Sequence, residues 1–145
     1  MKILALDASS TNVGYCVAVG SDFVISGVFS PKGDADARVR AISAWARTKI
    51  WRYEIEVVVI EEPTGDHGNR RTDRLLARVC GVIEGHAYAY GARVAWVHPQ
   101  QVKATGCHKD ALLVAATISG KPRVGADEAD AIGVWLAGWA RLRYT

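Results

Sequence analysis

Four carboxylates in this sequence stand where an acid is costly. Asp7 closes the apolar run Ile3-Leu4-Ala5-Leu6, and Glu61 closes a second, Val57-Val58-Val59-Ile60. Asp127 and Asp130 open a stretch, residues 131–140, that carries no charge at all. Three residues apart, these two share one face of a helix. A helix apolar all round is an interior helix, and an acid at its mouth or at the end of a buried strand needs a compensating cation. Each acid alone has an ordinary reading. Asp127 and Glu128 suit a first helical turn through its dipole, Glu61 and Glu62 before Pro63 suit a solvated strand end, and Asp7 in a polar turn can cap backbone N–H groups. None of these accounts for all four together. Carboxylates on two core strands and one core helix can meet at one edge of a sheet. Hard oxygen ligands without thiolates suit Mg²⁺ or Mn²⁺, and two such ions clamping attacking and leaving oxygens make a phosphodiester-cleaving site. Only one of the paired glutamates can share a side with Asp7, because neighbours on a strand face opposite ways. Spacing does not say which.

The elements that must position these acids follow from periodicity. Residues 3–6 form a continuous apolar strand of the kind covered on both faces. Two more strands follow over 13–19 and 23–29, joined by a hairpin at Gly20-Ser21-Asp22. From Asp34 the period is helical, with Val39, Ile42, Trp45, Ala46 and Ile50 on one side. Residues 57–60 make the next strand, 64–72 have loop composition, and Leu75, Leu76, Val79, Cys80, Val82 and Ile83 describe a helix to about Tyr90. Residues 93–97 are a short strand. Two short helical pieces come next, around 100–104 and 109–118, and a last helix runs from near Gly125 to Arg143. Three strands followed by alternating helices and strands predict an α/β domain, a mixed central sheet flanked by helices.

Half of the 145 residues are hydrophobic and 23% are charged, so one domain spanning 1–145 around one core is expected. The net charge of +3 is compatible with a nucleic-acid partner without requiring one. Cys16, Cys80 and Cys107 are odd in number and irregularly spaced, which argues against a disulfide scaffold or a zinc knuckle and for a reducing cytoplasm. No leader pattern opens the chain, and no apolar run approaches the roughly 20 residues of a membrane span, so no membrane partner is expected.

Four segments in order carry a family resemblance. The opening Ile3-Leu4-Ala5-Leu6-Asp7-Ala8-Ser9-Ser10-Thr11-Asn12-Val13-Gly14-Tyr15 resembles the first strand and hairpin of RuvC-type Holliday junction resolvases. Val59-Ile60-Glu61-Glu62 is similar to their second acidic strand, with Glu61 in the catalytic place. Pro99-Gln100-Gln101-Val102-Lys103, then Gly106 and Lys109, resembles their basic segment, and Ala126-Asp127-Glu128-Ala129-Asp130-Ala131 their closing A-D-x-x-D-A signature. The resemblance implies an RNase H-like fold and a homodimer with two active sites. It also implies hydrolysis of two symmetric strands at a four-way DNA junction by divalent metal, two Mg²⁺ or Mn²⁺ ions per site. The ligands carried over are Asp7, Glu61, Asp127 and Asp130, with Lys103 and Lys109 as the catalytic basic residues near the scissile phosphate. The short chain resembles the compact, phage-borne members.

Two positions depart from the family. Ala8-Ser9 stands where it usually has Pro-Gly, and Thr64 where it commonly has an aromatic. With no Phe, Tyr or Trp over 62–71, only His67 is left in that loop to stack on a base. Recognition of junction shape with weak sequence preference is therefore expected. Arg70, Arg71, Arg74 and Arg78 cluster around the start of the following helix and suit DNA phosphates; solvated charge is the alternative. Gly81 and Gly85 permit close approach, either to a second copy, as in the family, or to the protein's own sheet. Trp135 and Trp139 read as core, and His108, beside Lys109, is the one histidine worth testing. Three other functions compete: a broader fork or flap nuclease, a catalytically silent junction binder, and an actin- or Hsp70-like ATPase using Asp7–Gly14 as a phosphate loop. The four acids disfavour the second. The third requires two such domains.

Overall fold

Apolar residues at every position of two short runs require a sheet covered on both faces, and the chain builds one. The computed structural model describes residues 1–63 and 69–145. In chain order the elements are β1 (Lys2–Asp7), β2 (Val13–Val19), β3 (Asp22–Phe29), α1 (Ala35–Arg52), β4 (Val57–Glu61), α2 (Arg70–Tyr90), β5 (Arg93–Val97), α3 (Pro99–Ala104), α4 (Leu112–Ser119) and α5 (Ala126–Leu142). The five strands form one sheet in the order β3-β2-β1-β4-β5. β1, β2 and β3 pair antiparallel, whereas β4 joins β1, and β5 joins β4, in parallel. The mixed sheet with flanking helices is the expected architecture.

Alternation along β1 and β4 divides the core. Ile3, Ala5, Val57 and Val59 face α5, with α3 and α4 behind it. Leu4, Leu6, Val58 and Ile60 face α1 and α2. All eight have no exposed surface, and each large aliphatic among them contributes about 1.5–3 kcal/mol through burial. α1 buries Val39, Ile42, Ala46 and Ile50, and the Asp34 side chain caps it by accepting from the Ala37 N–H at 2.9 Å. Cys16, Cys80 and Cys107 are buried free thiols. Among the described residues no helix is long and apolar enough to cross a membrane.

Two boundaries differ from the sequence expectation. Residues 70–72, read as loop, form the first turn of α2, because the Asn69 side chain caps it by accepting from the Arg71 N–H at 2.9 Å. α4 begins at Leu112 rather than near Lys109, because His108 and Ala111 pair in a tight bridge that holds residues 108–111 out of the helix. The Trp135 indole N–H donates to the Gly20 carbonyl at 3.0 Å, so this tryptophan is core, as read.

α5 lies so close to its neighbours that side chains are excluded at defined points. A Cβ on Gly133 would stand 2.0 Å from the Cys107 carbonyl oxygen. Gly133→Ala must push the segment around Cys107 off the helix. It is expected to destabilise the protein by about 1–3 kcal/mol, read as a lower urea midpoint at unchanged slope.

Candidate active site

Strand register settles which glutamate joins Asp7. The parallel pairing runs from Ile3 against Val57 to Leu6 against Ile60, so Asp7 and Glu61 come next on their strands. Both continue the odd-numbered side that faces α5. Glu62 follows on the even-numbered side and is exposed, yet it too borders the cleft that Asp7 and Glu61 open into. On the other flank Asp7 pairs with Gly14 of β2. A Cβ on Gly14 would lie 2.0 Å from the main-chain oxygen of Asp127. The missing side chain lets the first turn of α5 settle beside Asp7, a role for Gly14 that the sequence reading overlooked.

The four acids lie near enough to act on one another. Burial, followed by repulsion from Asp130, Glu61 and Asp127, pushes the Asp7 carboxyl from 3.8 up to about 8, with Lys109 pulling the other way. Burial and then Asp130 raise Glu61, while Lys109 and Lys103 lower it. Asp130 is raised by burial against the opposing main-chain N–H of Lys109, which donates to its Oδ1 at 2.7 Å. The structure thus brings together Asp7, Glu61, Asp127, Asp130, Lys103 and Lys109.

Asp7, Glu61 and Asp130 open into a cleft of about 340 Å³, with Lys103, Lys109 and His108 on its rim and Leu76, Pro63, Pro99 and Val102 as apolar walls. Asp127 does not line the cleft, although Asp7 and Asp130 both feel its charge. His108 faces in, but its Nδ1 accepts from the Asp110 N–H at 3.2 Å. Among the described residues, no three acidic, histidine or cysteine side chains are gathered as a finished ion cage. The donor set itself suits a hard divalent cation: four carboxylates, mutually repelling, with two lysines as the cations acting on them.

Arg70, Arg71, Arg74 and Arg78 are exposed. At about 100° per residue they fall within one third of the α2 circumference. Arg78 is not free: its guanidinium donates to Asp36 of α1 at 2.6 Å. Gly81 and Gly85 do not pack on the protein's own sheet, since a Cβ on either would meet nothing within 4 Å. Thr64 and His67, on which weak sequence preference was argued, lie outside the described residues.

No protein-family model matches the sequence, and no curated protein matches it. Its fold has clear counterparts. Thermus thermophilus RuvC in complex with a Holliday junction substrate aligns with a TM-score of 0.83 at 22% identity, covering 98% of this chain and 96% of that one. The yeast mitochondrial Holliday junction resolvase Ydc2 gives 0.67 at 13%, over 98% of this chain and 80% of its own. The fowlpox virus resolvase with Holliday junction DNA gives 0.59 at 14%, over 98% and 99%. The chain therefore has the RNase H-like fold of these resolvases.

Because Asp7 holds its proton to a higher pH folded than unfolded, its ionisation erodes stability as pH climbs from about 4 to about 8. With chelator present, the melting temperature should fall over that range. Asp7→Asn should remove most of this slope and melt about 3 °C above the parent at pH 8. A lower melting temperature for Asp7→Asn would mean that the carboxylates do not repel as described.

Proposed function

We propose that this protein is a divalent-metal-dependent endonuclease that cuts four-way DNA junctions on two symmetric strands, acting as a homodimer. The observation that carries this reading is the meeting of Asp7, Glu61, Asp127 and Asp130 at one end of the sheet, where β1 and β4 finish. They do so in a fold that RuvC bound to its junction matches over nearly the whole chain.

The four acids are the ligands, for two Mg²⁺ or Mn²⁺ ions per site. Such ions supply Lewis-acid polarisation of the phosphate and lower the pKa of an attacking water. The chain's own residues do the rest. β1 and β4 aim Asp7 and Glu61 from a rigid base, and the Lys109 N–H fixes one oxygen of Asp130. The Lys109 and Lys103 ammonium groups stand at the rim, where they offset the charge of a phosphate drawn towards four acids. The apolar wall of Leu76, Pro99 and Val102 limits water on the other side.

Leu76 puts α2 beside the cleft, and Arg70, Arg71 and Arg74 are exposed on another side of the same helix, where they would meet DNA that extends beyond the cleft. The Arg78–Asp36 pair is exposed on both sides, and such pairs contribute about 0–1 kcal/mol, little enough to be exchanged for a phosphate. A four-way junction has two-fold symmetry, which a C2 dimer matches. The bare outward face at Gly81 and Gly85 supports α2 as the contact with the second copy. Buried free thiols agree with a reducing cytoplasm.

The decisive experiment incubates purified protein with Mg²⁺ or Mn²⁺ and labelled four-way, three-way and linear DNA. Paired, symmetric incision of the four-way substrate is expected. Asp7→Asn, Glu61→Gln, Asp127→Asn and Asp130→Asn should each lose about 10²–10³-fold in cleavage while still binding the junction. Glu62→Gln should stay within about twofold. Equal cutting of the three-way substrate would favour the broader nuclease, and Asp7→Asn at parental rate would remove the site assignment.

Binding supplies a second check. Arg70→Ala with Arg71→Ala should weaken junction affinity for any sequence and reduce the log–log salt slope by about 2. An unchanged slope would place the DNA on another face.

A further inference from the structure

Glu128 stands between two of the active-site acids yet takes no part in the cleft. At about 100° per residue its side chain leaves α5 roughly 160° round from Asp130. It is buried, 7% exposed, under the edge strand β3. There its Oε2 accepts from the Ser26 hydroxyl at 2.5 Å and pairs with the Lys121 ammonium. Lys121 closes the ring by donating to the Ser26 main-chain carbonyl at 2.9 Å. Lys121 itself follows Gly120, the left-handed residue that ends α4, and its N–H returns to the Ala116 carbonyl at 3.2 Å. One carboxylate thus ties together β3, the end of α4 and the first turn of α5.

We infer that the Glu128–Lys121–Ser26 cluster is a positioning clamp, which holds the first turn of α5 so that Asp127 and Asp130 stay aimed at Asp7. What those two acids do rests on the nuclease reading above; the clamp's grip on the helix does not. Three observations support it. The α5 N-terminus has Gly125 as its capping residue and no side-chain cap, so the first turn, which carries Asp127 and leads into Asp130, lacks the usual local anchor. Asp127 and Asp130 both act on the Asp7 carboxyl from that end of the helix, and the clamp grips its other side. Finally, the pair is buried at Glu128 and half-buried at Lys121, and a pair drawn out of water adds little net stability over apolar residues of similar volume, because desolvation cancels most of the attraction. Setting a unique arrangement is the best-attested use of such a pair.

The test uses the full chain in three forms: parent, the apolar replacement Lys121→Met with Glu128→Leu, and the conservative Lys121→Arg. Four quantities are measured. They are melting temperature with chelator, amide hydrogen exchange over residues 126–131, Mn²⁺ binding followed by loss of the free-ion resonance signal, and the Mg²⁺ concentration giving half-maximal junction cleavage. The apolar variant should melt within a few degrees of the parent, yet exchange first-turn amides about tenfold faster. It should bind Mn²⁺ about 10–100-fold more weakly and need correspondingly more Mg²⁺, as for the loss of an outer partner to metal ligands. Lys121→Arg should restore all three. Should the apolar variant fail to fold, Glu128→Gln, which keeps the Ser26 hydrogen bond but not the ion pair, is read the same way. Unchanged exchange and unchanged Mn²⁺ affinity in a folded variant overturn the clamp. A parent that binds no Mn²⁺ and cuts no junction overturns the nuclease reading instead, and exchange alone then decides the clamp.

Discussion

Four carboxylates meet where two fully buried strands end beside the start of α5, and the surrounding architecture is what keeps them there. Burial first, and then the repulsion among them, pushes the Asp7 carboxyl to about 8. Left to themselves the acids would separate, so rigidity has to come from elsewhere. It comes from the eight alternating residues of β1 and β4, none of which has any exposed surface. A strand packed on both faces cannot tilt its last residue away from a neighbour without opening a core. Asp7 and Glu61 are accordingly held by burial several residues upstream of themselves. Strain of this kind is the usual price of a working site, and stability is traded for it.

The helix acids need a different solution, because a helix can shift where a central strand cannot. α5 approaches the sheet through absent side chains. Gly14 admits the Asp127 backbone, Gly133 admits the Cys107 carbonyl, and Gly138 admits Val59. Close approach alone brings a helix near the sheet without fixing its rotation. Rotation is constrained on two sides of the first turn, by the Lys109 N–H on Asp130 and by the Ser26 and Lys121 contacts on Glu128. With those in place, Asp127 and Asp130 share a direction that their spacing by three residues only permits.

Much of this was legible in the sequence, and the parts that were not have a common cause. Local periodicity located every strand and helix, because alternation and helical spacing are set by near neighbours. The four acids were visible as charges attached to apolar runs. The choice between Glu61 and Glu62 was not, since it depends on the register of β4 against a strand more than fifty residues away. Glu128 read as a dipole-favoured acid of a first turn for the same reason: its partner Ser26 is 102 positions distant. Arg78 looked like a free phosphate ligand until α1 and α2 met and paired it with Asp36. Gly81 and Gly85 allowed two packings, and which way α2 turns them is a tertiary matter. Short-range caps were overlooked rather than hidden. Asn69 before Arg70 is a capping residue at a helix start, and it accounts for the early start of α2.

The net charge of +3 understates how unevenly the molecule is charged. For the proposed DNA substrate, an acidic cleft works only if cations offset its acids along the path of the phosphates. Chain connectivity arranges this. β4 delivers Glu61 to the cleft, and α2 begins at Arg70, nine positions later. Leu76 then brings α2 back to the wall of the same cleft. The arginines of its first two turns are carried on that helix, exposed and about 120–160° round from Leu76. The cation closest to the acids is Lys109, its main chain bound to Asp130 and its ammonium felt by Asp7 and Glu61. On the proposed nuclease reading, association with DNA would depend on this distribution and not on the sum. A protein with the same composition but its arginines on the far face of α1 would keep its net charge and repel a phosphate from the very place where its acids could act on it.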